Sequence, residues 1–563
     1  MLSDREALAS AVERLHASVA DESPAARVTQ RDELARLRAR FREAPQLFTD
    51  ELIARLKEIA KVVGRGPSPE EVLASVFGYS SFRPSQKEII DTVLSGRDVL
   101  GILPTGAGKS VTYQVPARIL GGTTLVVSPL IALMRDQVEA LTEVGMRAAF
   151  INSSLSPEER AQRVTAARRG ELELLYVAPE GLEARLGSLL SQLDIRLIAV
   201  DEAHCISQWG HDFRPAYRSF AAQLSQLPRA PVLALTATAT EEVTSDIARS
   251  LGMRKPAVYR GSTFRPNLHV FAIKKGAAGA PTTREAIVRL VKDRRGDAGI
   301  VYCLSRKATE ETAEVLSRAG VKAAAYHAGL PAEARAAAQD AFRNDAVDVV
   351  VATIAFGMGI DKSNVRYVIH RDMPRSIDGY YQEIGRAGRD GLRADCFLFY
   401  SWSEVVAYDR FADESSSDEA AARIRAQSRE MFRFAEGTRC RHVALAAHFG
   451  DVIGACETSC DVCLGGLVLP KKRDKAAVMP AAAMPAQQSE LLVLLKSLRR
   501  HLAEERGVPA YVVFNDATLA AMSELRPTTE AELLRVPGVG PKKATTYGAA
   551  FLRLLREEAR LPG

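Results

Sequence analysis

Asp98-Val-Leu-Gly-Ile-Leu-Pro-Thr-Gly-Ala-Gly-Lys-Ser110 is an apolar run that breaks into a glycine-bearing loop and then into the helical pattern Val111 to Leu120. Strand, loop and helix in that order are the context in which a phosphate-binding loop works, because backbone N–H groups at a helix N-terminus converge on an anion. Within Thr105 to Ser110, Gly106 and Gly108 let those N–H groups turn toward the phosphates, with Thr105 and Ala107 beside them. Lys109 reaches the terminal phosphates, and the Ser110 hydroxyl can ligate Mg²⁺. The strict pattern opens on Gly; Leu103 stands there instead.

Outward from this loop, short apolar runs alternate with helical patterns. The runs are Asp98 to Leu103, Thr124 to Ser128, Leu174 to Ala178, Leu197 to Asp201 and Val232 to Thr236, followed by Gly299 to Leu304, Ala323 to His327, Asp348 to Thr353, Tyr367 to His370 and Cys396 to Tyr400. Bounded runs separated by helices indicate parallel α/β sheets. One sheet cannot comfortably hold them all, and Tyr259 to Pro281 breaks the alternation with Gly, Pro and Ala. The reading is therefore α/β with two parallel-sheet lobes in tandem, 68–258 and 259–404. In the first, Ile198-Ala-Val-Asp-Glu-Ala-His204 puts two acids at a strand end. Asp201 can hold Mg²⁺ through water and Glu202 can polarise an attacking water, while His204 would link the nucleotide site to the second lobe. Late in the second, Tyr381-Gln-Glu-Ile-Gly-Arg-Ala-Gly-Arg389 spaces Arg386 and Arg389 so that both can face one cleft. A guanidinium there stabilises charge on a γ-phosphate in flight, and Arg389 is the expected finger with Arg386 beside it.

The flanks are helical. Residues 1–67 carry Leu8, Val12, Leu15 and Val19, then Phe48, Leu52, Leu56, Ile59 and Val63, at helical spacing. This extension is read either as an appendage that packs on the body or self-associates, or as a partner- or DNA-binding arm. Residues 405–466 contain Cys440, Cys456, Cys460 and Cys463 in a short window, whereas Cys205, Cys303 and Cys396 sit singly in apolar segments. A Pro-, Ala-, Met- and Lys-rich stretch, 467–488, reads as a linker, and 489–563 as a compact helical unit. The charged fraction of 26% and hydrophobic fraction of 47% exclude a disordered or membrane-embedded chain. No apolar run could span a bilayer, and acids in Met1 to Glu6 fall where a signal peptide needs a basic start. A cytoplasmic protein is expected, nucleoid-associated if bacterial. Its formal net charge of +6 permits a polyanionic partner without identifying one. Four clustered cysteines in such a chain suggest metal before disulfide, and four thiolates are the usual complement of a closed structural zinc site. His442 or His448 could substitute for one of them.

The motif order resembles that of superfamily 2 helicases, and several strings look specifically like the RecQ family. Phe77-Gly-Tyr-Ser-Ser-Phe-Arg-Pro-Ser-Gln86 is similar to the family's adenine-recognition motif. The resemblance implies that Gln86 reads the adenine edge, with Arg83 assisting and Tyr79 near the base. Val127 to Gln137, Leu235 to Ala239, Tyr326 to Gly329 and Ala352 to Lys362 look like its strand-contact and coupling motifs, which carries Ser128 and Thr353 over as DNA contacts. The most family-specific string is Cys205-Ile-Ser-Gln-Trp-Gly-His-Asp-Phe-Arg-Pro-Ala-Tyr217. Trp209, His211, Phe213 and Arg214 there suit base stacking and phosphate contact, worth roughly 1 to 3 kcal/mol per stacked base; the alternative is that Trp209 and Phe213 are simply core. The cysteine segment resembles the RecQ zinc subdomain, although three residues separate Cys456 from Cys460 where two are expected. The C-terminal unit looks like a helicase-and-RNaseD C-terminal (HRDC) domain. Its Val536-Pro-Gly-Val-Gly-Pro-Lys-Lys543 turn would put Lys542 and Lys543 on a phosphate-binding hairpin, unless the turn serves packing alone.

The resemblance implies two RecA-like lobes, ATP, Mg²⁺ and Zn²⁺ as cofactors, and a DNA-dependent ATPase that moves 3′ to 5′ on single-stranded DNA and unwinds duplexes in recombination, repair or replication. Single-stranded and duplex DNA are the expected partners, with single-stranded-DNA-binding or recombination proteins beside them and no membrane. Two other classes share features: an RNA-remodelling ATPase, and a DNA-binding scaffold with a relic motor. Family members typically carry a winged helix between zinc segment and C-terminal domain; the stretch after Cys463 to about Gln488 does not accommodate one.

Overall fold

The computed structural model describes residues 2–558 apart from 21–25, 27–28, 31–32, 35, 38–39, 42–43, 64–66, 130, 153–154, 180–188, 208–213, 225–226, 228, 278–279, 355, 357–361, 416 and 466–485. Two parallel sheets organise it. The first contains β1 (Val99–Ile102), β2 (Thr123–Val127), β3 (Ala148–Ile151), β4 (Leu174–Val177), β5 (Ile195–Val200), β6 (Val232–Thr236) and β7 (Ala257–Arg260), in the order β3-β4-β2-β5-β6-β1-β7. The second contains β8 (Leu268–Lys274), β9 (Ala298–Tyr302), β10 (Ala323–Tyr326), β11 (Val349–Ala352), β12 (Val365–His370) and β13 (Ala394–Tyr400), in the order β10-β11-β9-β12-β13-β8.

Each sheet is buried on both faces, which is why its inner strands read as unbroken apolar runs. Leu100, Ile102, Leu125 and Val127 feed the core on one side of the first sheet, while Val99, Val126, Leu174 and Leu233 feed the other. The second sheet divides likewise, with Ile300, Val350 and Val368 opposite Val301, Val349 and Ile369. In such sheets the loops at the carboxyl ends of the strands gather on one edge and build the ligand site. The phosphate loop leaves β1, the acids leave β5 and Thr236 ends β6, so they converge.

Three strands were not anticipated by the apolar runs, and one boundary moves. β7 pairs with β1, so Tyr259 and Arg260 belong to the first lobe and not to the second, as a boundary at 258 would have it. β8 lies inside the stretch read as a break, and pairs with β13 along all seven residues. β3, Ala148-Ala-Phe-Ile151, is a short edge strand. Edge strands carry half-exposed or small residues and give weak sequence signals. The helix Trp402–Asp413 begins before the expected lobe end at 404, and the last unit begins with the helix Ala486–Arg506, slightly ahead of residue 489; the remainder of the predicted linker lies outside the described residues.

The N-terminal helices Leu2–Ser18 and Asp50–Val63 enclose their own apolar cluster of Val12, Leu15, Phe48, Leu52, Ile59 and Val63. The C-terminal helices do the same around Phe514, Leu519, Tyr547 and Phe551.

Gly299 shows how tightly the second sheet is filled. A Cβ there would lie 2.0 Å from the buried Tyr367 ring on the neighbouring strand β12. We expect Gly299→Ala to cost about 1–3 kcal/mol through overpacking. A lower thermal midpoint, partly restored by Tyr367→Leu in the same chain, checks this; an unchanged midpoint contradicts it.

Candidate nucleotide and metal sites

Gly106 and Gly108 take φ of +85° and +76°, a region that side-chain-bearing residues rarely adopt, so the loop's glycines are required by its shape. At Gly108 space is short as well: a Cβ would sit 2.6 Å from Gln86 Nε2. Gln86 is buried and fully engaged with the protein, its Nε2 donating to Ala107 O and Gly108 O at 2.9 Å each and its Oε1 accepting from Arg83 N at 2.9 Å. Arg83 in turn donates to Gly106 O. The adenine-type motif is thereby strapped to the phosphate loop. Lys109 Nζ rests on Leu103 O at 3.2 Å.

The acids stand opposite. Asp201 Oδ1 accepts from Glu202 N at 3.0 Å, and Tyr217 OH donates to Asp201 O at 2.8 Å. Glu202 has φ +48°, and a left-handed residue with a side chain costs on the order of 1–2 kcal/mol. That conformation is held by Cys205 N, which donates to Glu202 O at 2.9 Å. His204 is buried, 3.4 Å from Glu202 and 2.9 Å from Thr236 Oγ1 at the end of β6. Through these two contacts His204 connects the acids to Thr236 at the end of β6.

The second lobe meets this site directly. A Cβ on Gly385 would lie 3.0 Å from Thr105 Cβ and 3.1 Å from Thr105 Oγ1, so the arginine loop presses on the phosphate loop. Arg386 and Arg389 line the same cavity as Gly106, Lys109, Ser110, Asp201 and Glu202, a space of about 790 Å³. Arg386 Nε is buried with no hydrogen-bond partner among the described residues.

Arg265, between β7 and β8, was not singled out in the sequence. Its fork donates to Gly385 O at 3.1 Å, Ala387 O at 3.0 Å and Gly388 O at 2.6 Å. The guanidinium also backs the phosphate loop, 3.5 Å from where a Gly106 Cβ would be. Burial brings its pKa down to about 10, which leaves it charged at neutral pH. Asn267 adds Nδ2 bonds to Gly388 O and Leu392 O at 2.8 and 2.9 Å. The available signal was an Arg and an Asn around Pro266 at the junction of two lobes, where polar side chains must satisfy loop carbonyls.

A second site lies on the outer edge of the second sheet. One Sγ from each of Cys440, Cys456, Cys460 and Cys463 falls within 4.8 Å of the others, so the three-residue spacing between Cys456 and Cys460 does not prevent convergence. Burial opposes ionisation of Cys440, yet the backbone N–H groups of Val443 and Cys456 aimed at its sulfur bring the thiol down to about 7. Cys456 is pushed up to about 12 by burial, so a set of four thiolates needs the field of a divalent cation. His442 and His448 are committed elsewhere, the first to Ser459 O and the second between Asp378 and Glu430. Around the thiols, Val270 N donates to Ser459 O at 2.9 Å and Asp461 N to Val270 O at 3.1 Å, which pairs the metal loop with the free edge of β8. Arg441 clamps Asp461 with two 2.9 Å bonds in a buried pair.

Four family models match in succession: DEAD/DEAH box helicase over residues 83–247, Helicase conserved C-terminal domain over 282–391, RecQ zinc-binding over 402–464 and HRDC domain over 488–555. The chain is 36% identical to the ATP-dependent DNA helicase RecQ of Pasteurella multocida, with 87% of this chain and 94% of the relative covered. It is 35% identical to the Haemophilus influenzae protein of the same name, with 89% and 97% covered. The chain belongs to the RecQ family of ATP-dependent DNA helicases. As a RecQ helicase it uses ATP with Mg²⁺, and Zn²⁺ at the cysteine cluster.

Other sequence candidates fall in different places in this RecQ chain. Ser128 follows β2 and is buried, and Thr353 follows β11 beside Ile354, which is 74% exposed. Arg214 Nη1 donates to Pro129 O at 3.2 Å. Trp209, His211 and Phe213 lie outside the described residues. Lys542 is exposed with its Nζ donating to Thr142 O of the first lobe at 2.7 Å, and Lys543 is half-buried with its Nζ on Val512 O at 2.6 Å. Sequence composition marked the turn as cationic and could not show which carbonyls its lysines meet. Among the described residues no helix is long and apolar enough to cross a membrane.

The zinc site yields a direct check. Mercurial titration of the thiols should release about one zinc per chain, and Cys460→Ser should lose the metal and lower the thermal midpoint. A metal-free wild-type chain with the same midpoint as the loaded one would contradict a structural role.

Proposed function

We propose that this RecQ helicase converts ATP hydrolysis at the interlobe cavity into 3′ to 5′ steps on single-stranded DNA and so separates duplexes in recombination, repair or replication. One observation carries the reading: phosphate loop and arginine loop touch, at Gly385 and Thr105, and line one cavity. Bound Mg²⁺ neutralises phosphate charge. Ser110 and Asp201 are its holders in this chain, Lys109 grips the terminal phosphates, and Glu202 orients the attacking water. Arg389, with Arg386, completes the charge stabilisation from the other lobe, so turnover requires closure. Gln86 and Arg83, already fastened to the phosphate loop, connect base recognition to phosphate binding.

Ser128, Arg214 and Thr353, with the aromatic residues Trp209, His211 and Phe213, form the proposed track for single-stranded DNA. The polarity rests on family membership. The zinc match ends at residue 464 and the HRDC match begins at 488, so the intervening residues are too few for a further folded domain. The chain therefore unwinds without a winged-helix wedge, and single-stranded-DNA-binding or recombination proteins are its expected collaborators.

Lys109→Ala and Glu202→Gln should abolish DNA-stimulated ATP hydrolysis while leaving DNA binding in place, and Arg389→Ala should lower kcat by about 10³-fold. Undiminished turnover in any of them refutes the assigned engine. On tailed duplexes, ATP-dependent unwinding is expected from 3′ tails and not from 5′ tails, and stimulation by single-stranded DNA should exceed that by RNA; the reverse preference overturns the reading.

A further inference from the structure

The nucleotide cavity has a wall that neither lobe supplies. Tyr511, Asn515, Thr518, Gly538 and Lys543 of the C-terminal unit line it together with Arg83, Gln86 and Lys109. The unit is seated on one helix of the first lobe, Ile131–Glu143. Tyr511 OH lies 3.5 Å from Asp136 Oδ2, Lys542 Nζ donates to Thr142 O at 2.7 Å, and Tyr547 OH lies 3.4 Å from Glu143 Oε2. The same Asp136 is 3.1 Å from Arg343 of the second lobe. On its other side the unit reaches that lobe itself, Arg499 standing 4.0 Å from Asp345.

The closest approach is backbone to backbone. Gly538 N donates to Gly78 O at 3.3 Å, and a Cβ on Gly78 would meet Gly540 N at 2.5 Å and Val539 C at 2.7 Å. Gly78 sits at the head of the adenine-type motif that runs to Gln86. A Cβ on Gly540 would instead make ordinary contacts of 3.5 Å with Gly78 N and Val76 O. That position accepts a methyl group and nothing much larger.

We infer that the C-terminal unit is a lid on the adenine side of the nucleotide cavity, and that nucleotide leaves only when the Gly538–Gly540 turn lifts from Gly78. The lid contacts both lobes, so it holds them in register around the nucleotide while it is seated. Of the turn's two lysines, Lys542 is spent on this seat through Thr142 O, while Lys543 braces the unit from within through Val512 O. The inference rests on ATP occupying this cavity.

The test is stopped-flow release of a fluorescent ADP from the full zinc-loaded chain, with variants on opposite sides of the seat. Gly540→Leu should displace the turn sterically, and Glu143→Lys should repel it through Lys542 and Lys543. Both are expected to speed release at least about fivefold, whereas Gly540→Ala should release at the wild-type rate. Zinc content and thermal midpoint, read on the same samples, exclude misfolding. Wild-type release in both displaced variants overturns the lid. Acceleration in only one of them, or in Gly540→Ala as well, assigns the effect to local damage and overturns it too. A labelled-ADP signal that survives Lys109→Ala would remove nucleotide from this cavity, and the lid with it.

Discussion

The rest of the structure depends on one half-buried cation. Arg265 leaves neither lobe's sheet, yet its guanidinium fills the gap between the phosphate loop and the carbonyls of Gly385, Ala387 and Gly388. Those carbonyls follow the end of the helix Ile377–Ile384, where helical partners run out, and Arg265 satisfies them together with Asn267 and Gly391 N, which share Gly388 O. A charged donor there is strongly favoured, since removing one partner of a buried polar contact costs the desolvation of the other. The consequence is geometric: the guanidinium is fastened to the arginine loop and lies against the phosphate loop, so it forms the surface on which the two loops meet.

The zinc subdomain extends the same logic to the hinge. Its metal loop pairs with β8, the strand that follows Arg265, and its Asp451 accepts bonds from Ser262 and Thr263, which precede Arg265. Phe264 packs edge-on against His442 at 5.1 Å. Four thiolates thus fix a loop whose job is to hold the interlobe connection from outside. In a buried pair such as Arg441–Asp461, breaking one side is expected to cost several kcal/mol, because a lone charge would be left in the interior. This accounts for a metal far from the chemistry: it stiffens the strand on which the joint turns.

Much of this was legible in the residues. Unbroken apolar runs such as Leu174–Val177 and Val349–Ala352 announce strands buried on both faces, and their alternation with helices announces parallel sheets. Loop chemistry at Gly106 to Ser110, Asp201-Glu202 and Arg386 to Arg389 is local, so sequence shows it plainly. What sequence did not show is who faces whom. β7 alternates half-buried with exposed residues and looks like linker; β8 hides behind the Pro and Gly of its surroundings. Arg265 resembles any surface arginine until the carbonyls it serves are brought to it from 120 residues away. Lys542 and Lys543 carry the charge of a phosphate-binding turn, and only packing shows that the turn faces the first lobe.

The central claim is that nucleotide draws two separately folded lobes together about Arg265. Energy transfer between fluorophores placed at Arg169 and Lys307, both well exposed and one in each lobe, reports that distance in solution. With Mg²⁺ and a non-hydrolysable ATP analogue the transfer efficiency should rise above that of the nucleotide-free chain, and Arg265→Ala should remove the change. An efficiency that is the same with and without nucleotide in the wild-type chain would contradict the account.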